Sequence, residues 1–380
     1  MNKQIKSLLE ILASGLNGTM LVGAYENWDE LYKLAKYHAV DNLFYAAIKD
    51  AEGVPSELKE KAKSRYIGNV HQQISQEYYA ERIFGALNDK NIPYMPLKGY
   101  YMRKLYPAPE LRTSCDIDFF YDSNRTQDVT EIMQANGFHE EQGGPNHSVW
   151  QKGAVAFEPH FHLLSDNDMY HAYYQSVWSR LKHESGSLYS FSDEDFYIFF
   201  IVHSAKHFTH GGFGIRTVLD VHIYNNAKTL DREYLNGELE KIGLTKFVAA
   251  IEELAECWFG GKETSEDMER IGEYIIESGT YGVSLHKLML NSVKEKSVRG
   301  SKFSYFMKTL FLPYKEMKGR YPVLQKAPIL LPLCWIKRWF EVVFKRKENV
   351  KRTVNRMQSI GENQVEKYSR ILQITEVPLD

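Results

Sequence analysis

Residues 111–120 read LRTSCDIDFF (Leu111–Phe120), and the two aspartates within them decide how the chain is read. The alternation of Ile117 and Phe119 with Asp116 and Asp118 predicts a strand over 115–121. Successive side chains of a strand point to opposite faces, so Asp116 and Asp118 share one face while Ile117 and Phe119 share the other. Two neighbouring carboxylates repel, and burying them uncompensated costs several kcal/mol. A cation is therefore expected between them: a metal ion, an arginine side chain, or else water solvates both.

The other motifs sort around this strand. Pro96-Leu97-Lys98-Gly99 ends an apolar run and opens the helix-like YYMRKLY, where Gly99 permits close backbone approach to a ligand. Alone, such a Lys-Gly pair is usually a plain turn. A second alternating strand, VAFEPHFH (Val155–His162), carries Glu158, His160 and His162 on one face. Glu158 completes a three-carboxylate set with Asp116 and Asp118, as a metal ligand or as the base for an acceptor hydroxyl. The Glu-x-His-x-His spacing also suits a transition metal, since imidazole favours zinc or iron over magnesium. The bland alternatives are a solvated strand edge and partly exposed histidines.

Composition narrows the class. The chain has 380 residues, 43% hydrophobic and 25% charged, with a net charge of −2, enough to bury a sizeable core without a basic field that draws nucleic acid. Its three cysteines, Cys115, Cys257 and Cys334, form no CxxC pair, which argues against a disulfide framework or a cysteine zinc site. The first residues read as an amphipathic helix interrupted by Glu10 rather than as a signal peptide, and no run reaches the about 20 apolar residues of a membrane span. A cytoplasmic protein is expected.

Periodicity divides the chain into an N-terminal helical region (1–90, with helices near 29–49 and 56–90), an α/β core (91–190), a helical domain (191–325) and a basic, apolar C-terminal segment (326–380). In the core, 92–97, 115–121, 147–151 and 154–163 read as strands and 125–136 as a helix closed by Gly137. Gly143, Gly144 and Pro145 mark a hairpin-like turn. Ser192 is a helix N-cap candidate.

The combination of Leu97-Lys98-Gly99, then L-R-x-x-x-D-I-D-F-F, then a helix ending in Gly137-Phe138, then Phe157-Glu158-x-His160, resembles the bacterial uncharacterised nucleotidyltransferases of the polymerase-beta-like superfamily. His203-Ser-Ala-Lys-His207, Gly214–Val221 and the late YPVLQKAPILLPLCWIKR are similar to later motifs of that family. The resemblance implies an α+β fold, a small mixed-sheet core flanked by N- and C-terminal helical regions. It implies an NTP substrate such as ATP, an unidentified acceptor and two Mg²⁺ ions, Mn²⁺ being the alternative. Carried over residue by residue, Gly99 matches the loop glycine, Asp116 and Asp118 the metal-binding pair and Glu158 the third carboxylate. The sequence departs in having Tyr100 after Gly99 and a longer gap from loop to aspartates, which leaves Lys98 and Arg112 to contact phosphates, Arg112 through its bidentate fork.

His203 and His207 fall on one helix face at i, i+4. They are expected either to bond neighbours such as Asp220 or, with Arg216 and His160, to line the nucleotide cleft. Two competing functions stand beside transfer of a nucleoside monophosphate: a non-catalytic nucleotide- or partner-binding protein, and a metal-dependent phosphoesterase. In 326–356, nine Lys or Arg residues against Glu341 and Glu348 follow an apolar run. That pattern fits a helix on an anionic membrane surface. Packing onto the protein body is the expectation, because Pro328 and Pro332 limit a continuous amphipathic helix.

Overall fold

The computed structural model describes residues 2–280, 311–345 and 362–379, with a few isolated positions between 282 and 307. Helices α1 (Lys3–Asn17), α2 (Trp28–Tyr37), α3 (Asp41–Ile48) and α4 (Ser56–Asp89) lead into the first strand, β1 (Tyr94–Pro96). The 29–49 stretch expected as one helix is two. Ala39 turns the chain with φ +53°, and the Val40 N–H closes the turn onto the Ala35 carbonyl.

A short helix, α5 (Lys98–Met102), precedes β2 (Asp116–Tyr121), and α6 (Thr126–Ala135) follows it. Strands β3 (His139–Glu141), β4 (Val149–Lys152), β5 (Val155–His160), β6 (Lys182–Ser185) and β7 (Leu188–Ser190) complete the sheet. Strand order is β3-β4-β5-β2-β1-β7-β6, with β2/β5 and β1/β7 parallel and the other pairs antiparallel. This is an α+β fold with a mixed sheet, as the sequence predicts. Two additions were illegible. Strand β3 and the β6–β7 hairpin are short outer pieces rich in polar residues, so they carry almost no apolar alternation.

Strand β2 divides its side chains as the alternation demands. Ile117, Phe119 and Tyr121 enter one core with Ile83, Phe84 and Leu87 of α4 and Val129, Ile132 and Met133 of α6. Phe120, on the other face, joins the main helical core and stacks toward Trp178 at 4.8 Å between ring centroids. Asp116 and Asp118 share that second face and open toward the helices.

The helices on that side are α7 (Asp193–His210), α8 (Ile215–Ala227), α9 (Arg232–Lys241), α10 (Thr245–Phe259) and α11 (Glu266–Ser278). Ser192 caps α7, its hydroxyl accepting from the Asp195 N–H, while Asp193, Glu194 and Asp195 complement the positive end of the helix. Apolar residues of α1–α3 and α7–α11 belong to one core, together with Tyr368 and Ile371 of the helix Glu362–Thr375.

Within the described part of the C-terminal segment, Cys334 packs with Met317 and Leu324, and the Trp335 indole donates to the Leu312 carbonyl at 2.9 Å. Ile329, in the short turn Pro328–Leu330, and Leu333 and Ile336, on the helix Leu331–Lys345, remain exposed. No helix among the described residues is long and apolar enough to cross a membrane. The basic stretch 346–361 lies outside the described residues.

Candidate active site

The parallel register of β2 and β5 sets Asp118 opposite Glu158, Asp116 opposite Ala156 and Phe120 opposite His160. The three acids foreseen from sequence thus meet on two adjacent strands. Strand β5 ends at His160, because the N–H groups of Phe161 and His162 turn away to the Asn146 carbonyl. His162 leaves the sheet there and is exposed.

Asp118 is buried and accepts two hydrogen bonds on one oxygen: from Lys98 Nζ at 3.1 Å and from His160 Nε2 at 2.9 Å to Oδ1. Burial alone would raise its pKa, but the Lys98 charge and the His160 hydrogen bond outweigh it and hold the carboxyl well below the usual range. Its neighbours move the other way. Burial, then the Asp118 charge, push Asp116 up to about 6. Burial, then Asp118 and Asp116, push Glu158 up to about 7. The cluster holds more negative charge than its lysine neutralises.

Lys98 reaches Asp118 from the start of α5, where its own φ is +38°. Burial opposes its charge, yet Asp118 keeps its pKa above the ordinary value. The glycine after it has an internal reason. A Cβ on Gly99 would stand 2.8 Å from Ser114 Oγ and 3.0 Å from Arg112 Nη1, so the α5 backbone lies directly on these two side chains.

The structure corrects the expected task of Arg112. Its fork is spent on Asp220 of α8, with Nε to Oδ1 at 2.8 Å and Nη2 to Oδ2 at 2.9 Å. A guanidinium this deeply buried needs a fixed counter-charge, and Asp220 provides one. The Tyr106 hydroxyl also donates to Asp220, so that carboxylate is not available to the histidines of α7.

His203 and His207 bond each other instead, Nε2 to Nε2 at 2.8 Å. Burial, then the positive charge of Lys98, hold His203 well below its ordinary value and His207 down to about 4. His207 keeps an exposed face at the cleft mouth, where solvent softens that effect. Arg216 donates from Nη1 to the Thr113 carbonyl at 3.0 Å, and its charge favours ionised Asp116. Helices α7 and α8 therefore bring His203, His207 and Arg216 to the carboxylate side of the sheet.

One participant was not foreseen. His147 Nε2 stands 3.7 Å from Glu158 Oε2, and burial, then His160, hold its pKa down to about 4. His147, Glu158 and His160 each offer a donor atom, all within 4.8 Å of one another. The signal was the tight GGPNH turn, Gly143–His147, which reads as a hairpin connection and says nothing about where its histidine points. A groove of about 520 Å³ between α11 and Glu362–Thr375 shares no lining residue with this cluster and holds paired charges such as Asp267–Arg370.

Residues 25–260 match a family described as "Uncharacterised nucleotidyltransferase", a span that includes the sheet, α7 and α8. No curated protein and no solved structure gives a significant match.

Proposed function

The chain belongs to this uncharacterised nucleotidyltransferase family, and from that premise we propose that it moves a nucleoside monophosphate from an NTP onto an acceptor hydroxyl in the cleft between β2/β5 and α7. One observation carries the reading: Asp116, Asp118 and Glu158 converge on a cation-seeking cluster, in which two carboxyls are pushed up to about 6 and 7 by burial and by each other.

That donor set fits a divalent cation, the kind of ion nucleotidyltransferases generally use. Hard oxygen donors suit Mg²⁺ or Mn²⁺, and the negative charge exceeds what the bonded Lys98 neutralises. Asp116, Asp118 and Glu158 would hold the ion, which when bound would neutralise phosphate charge and polarise the α-phosphate.

The chain's own residues supply the rest. His160 and Lys98 hold Asp118 ionised and oriented. Glu158, whose pKa burial and the two aspartates raise, is suited to take the proton of the acceptor hydroxyl. The acceptor oxygen then bonds to the α-phosphorus, the α–β bridging bond breaks, and pyrophosphate leaves. Lys98, and Arg216 at the cleft wall, are the cations for the departing charge. In this reading His203 and His207 line the cleft as neutral imidazoles. Arg112 and Gly99 are positioning residues that fix α5 and hence Lys98.

The test is incubation of the full chain with each labelled NTP and Mg²⁺ or Mn²⁺, following pyrophosphate release and self-labelling. Release that depends on Asp116 and Asp118 supports the proposal. The absence of both release and metal-dependent NTP binding would overturn it. The Lys98–Asp118 pair favours one second reading, in which the lysine takes the place of a cation and nucleotide binds without turnover. Binding that needs no divalent ion, with no pyrophosphate, would support that reading.

A further inference from the structure

The turn at 143–147 is built around His147. A Cβ on Gly143 would lie 2.6 Å from the His147 carbonyl oxygen, and one on Gly144 only 2.5 Å from the His147 ring. A side chain at Gly143 would press on the turn's backbone and one at Gly144 on the imidazole, so the glycines leave the ring of His147 room against the turn. Its ring lies 4.9 Å from that of His160, centroid to centroid.

Asn146 then assigns opposite tautomers to the two histidines. Its Nδ2 faces three acceptors: His160 Nδ1 at 3.3 Å, the His162 carbonyl at 3.2 Å and the Leu163 carbonyl at 3.3 Å. Two of these are carbonyls, which accept only, so the amide orientation is fixed. His160 Nε2 faces the Asp118 carboxylate, which only accepts, so a His160 proton sits on Nε2 and is donated to Asp118. The same amide's Oδ1 accepts from His147 Nδ1 at 3.3 Å. The His147 lone pair is consequently on Nε2, the atom nearest Glu158. An imidazole whose far nitrogen is held by a hydrogen bond is the usual arrangement of a metal-ligating histidine.

The separation from Glu158 agrees. At 3.7 Å it is too long for a hydrogen bond. Two donors each about 2.1 Å from one tetrahedral ion stand roughly 3.4 Å apart, a few tenths of an ångström less. Both side chains are about one-quarter exposed, so an ion can reach them.

We infer that His147 Nε2 is a nitrogen ligand at the Glu158 end of the carboxylate cluster, making it a mixed nitrogen–oxygen site that prefers a borderline divalent cation such as Co²⁺ or Zn²⁺ over Mg²⁺. His160 is the positioning residue of the pair, donating to Asp118 rather than binding the ion. The inference deepens the proposed function and rests on its reading of Glu158 as a cation ligand. Imidazole adds selectivity because nitrogen donors favour later divalent ions such as Co²⁺ and Zn²⁺ over Mg²⁺, whereas carboxylates and water suit Mg²⁺.

The probe is Co²⁺ added to the full chain without nucleotide, followed by its visible ligand-field absorption, with Mn²⁺ and Mg²⁺ as competitors. Wild type is expected to show a nitrogen-influenced Co²⁺ spectrum and to bind Co²⁺ at least about tenfold more tightly than Mg²⁺. His147→Ala should lose that spectrum and weaken Co²⁺ at least about tenfold, with Mg²⁺ affinity nearly unchanged. Gly144→Ala, which displaces the ring without removing it, should weaken Co²⁺ in the same direction. His160→Gln, and the double variant His203→Ala/His207→Ala, should keep the spectrum. An unchanged spectrum in His147→Ala overturns the inference, as does loss in His160→Gln or in the α7 double variant with retention in His147→Ala. Failure of the underlying reading looks different: Asp116→Asn would then leave Mg·NTP binding intact, whatever His147 does.

Discussion

Arg112 and Asp220, 108 residues apart, form a two-pronged buried ion pair that ties the segment before β2 to α8. The pair clamps α8 beside α5 at the carboxylates: its Arg112 end touches Gly99 and its Asp220 end lies on the helix that carries Arg216. Both side chains are more than nine-tenths buried. Removing one partner leaves an uncompensated buried charge. Asp220→Asn is therefore expected to cost about 3–5 kcal/mol of stability, measured by urea unfolding. A cost under about 1 kcal/mol would mean that water relieves Arg112, and that this pair does not fix the cleft.

Lys98 is the cation bonded directly to the carboxylate cluster. Under the proposed function, Lys98→Met should weaken NTP binding at least about tenfold and lower turnover further, while leaving divalent-ion binding no weaker, because a repelling charge has gone. Calorimetry with and without nucleotide separates the two effects. Tighter nucleotide binding in the variant would show that Lys98 only fills a space that a cation should occupy.

Glu158→Gln keeps the shape of the side chain and removes its basicity. If Glu158 takes the acceptor proton, turnover should fall about a hundredfold or more while nucleotide affinity changes much less. Equal losses in both would assign it to ground-state ion binding alone. No loss at all would remove Glu158 from the site.

The pH dependence of stability carries its own sign. Asp116 and Glu158 are acids whose folded values, about 6 and about 7, lie above their unfolded ones. Their contribution to stability is complete below the unfolded value, near pH 4, and is lost as pH rises through the folded value. The histidines of the cleft, held below their ordinary values, work in the opposite sense. The informative quantity is thus the melting temperature of Asp116→Asn relative to wild type, without metal. The advantage of the variant should be absent near pH 4, grow through pH 6 and level off above it, by on the order of a degree or two. Saturating Mn²⁺ should remove or reverse the advantage. An advantage that is flat with pH would show that Asp116 ionises as freely as in the unfolded chain.

The sequence by itself determined the local geometry. Period-two alternation placed Asp116 and Asp118 on the face opposite Ile117 and Phe119, because a strand leaves no other choice once Ile117 and Phe119 are buried. It also marked Glu158 as the third acid and Ser192 as the cap of α7. Only the tertiary structure decided which cation meets which anion. Arg112, expected to wait for phosphate, is held by Asp220, and Lys98 takes Asp118 instead. His147 enters beside Glu158 while His162, two residues beyond His160, turns out to solvent. The physical reason is range. Alternation and capping act over a few residues and leave a pattern in the sequence. The pairing of buried charges is set by which side chains the fold brings within about 3–4 Å of one another, and that depends on contacts between distant segments, as between Arg112 and Asp220, 108 residues apart.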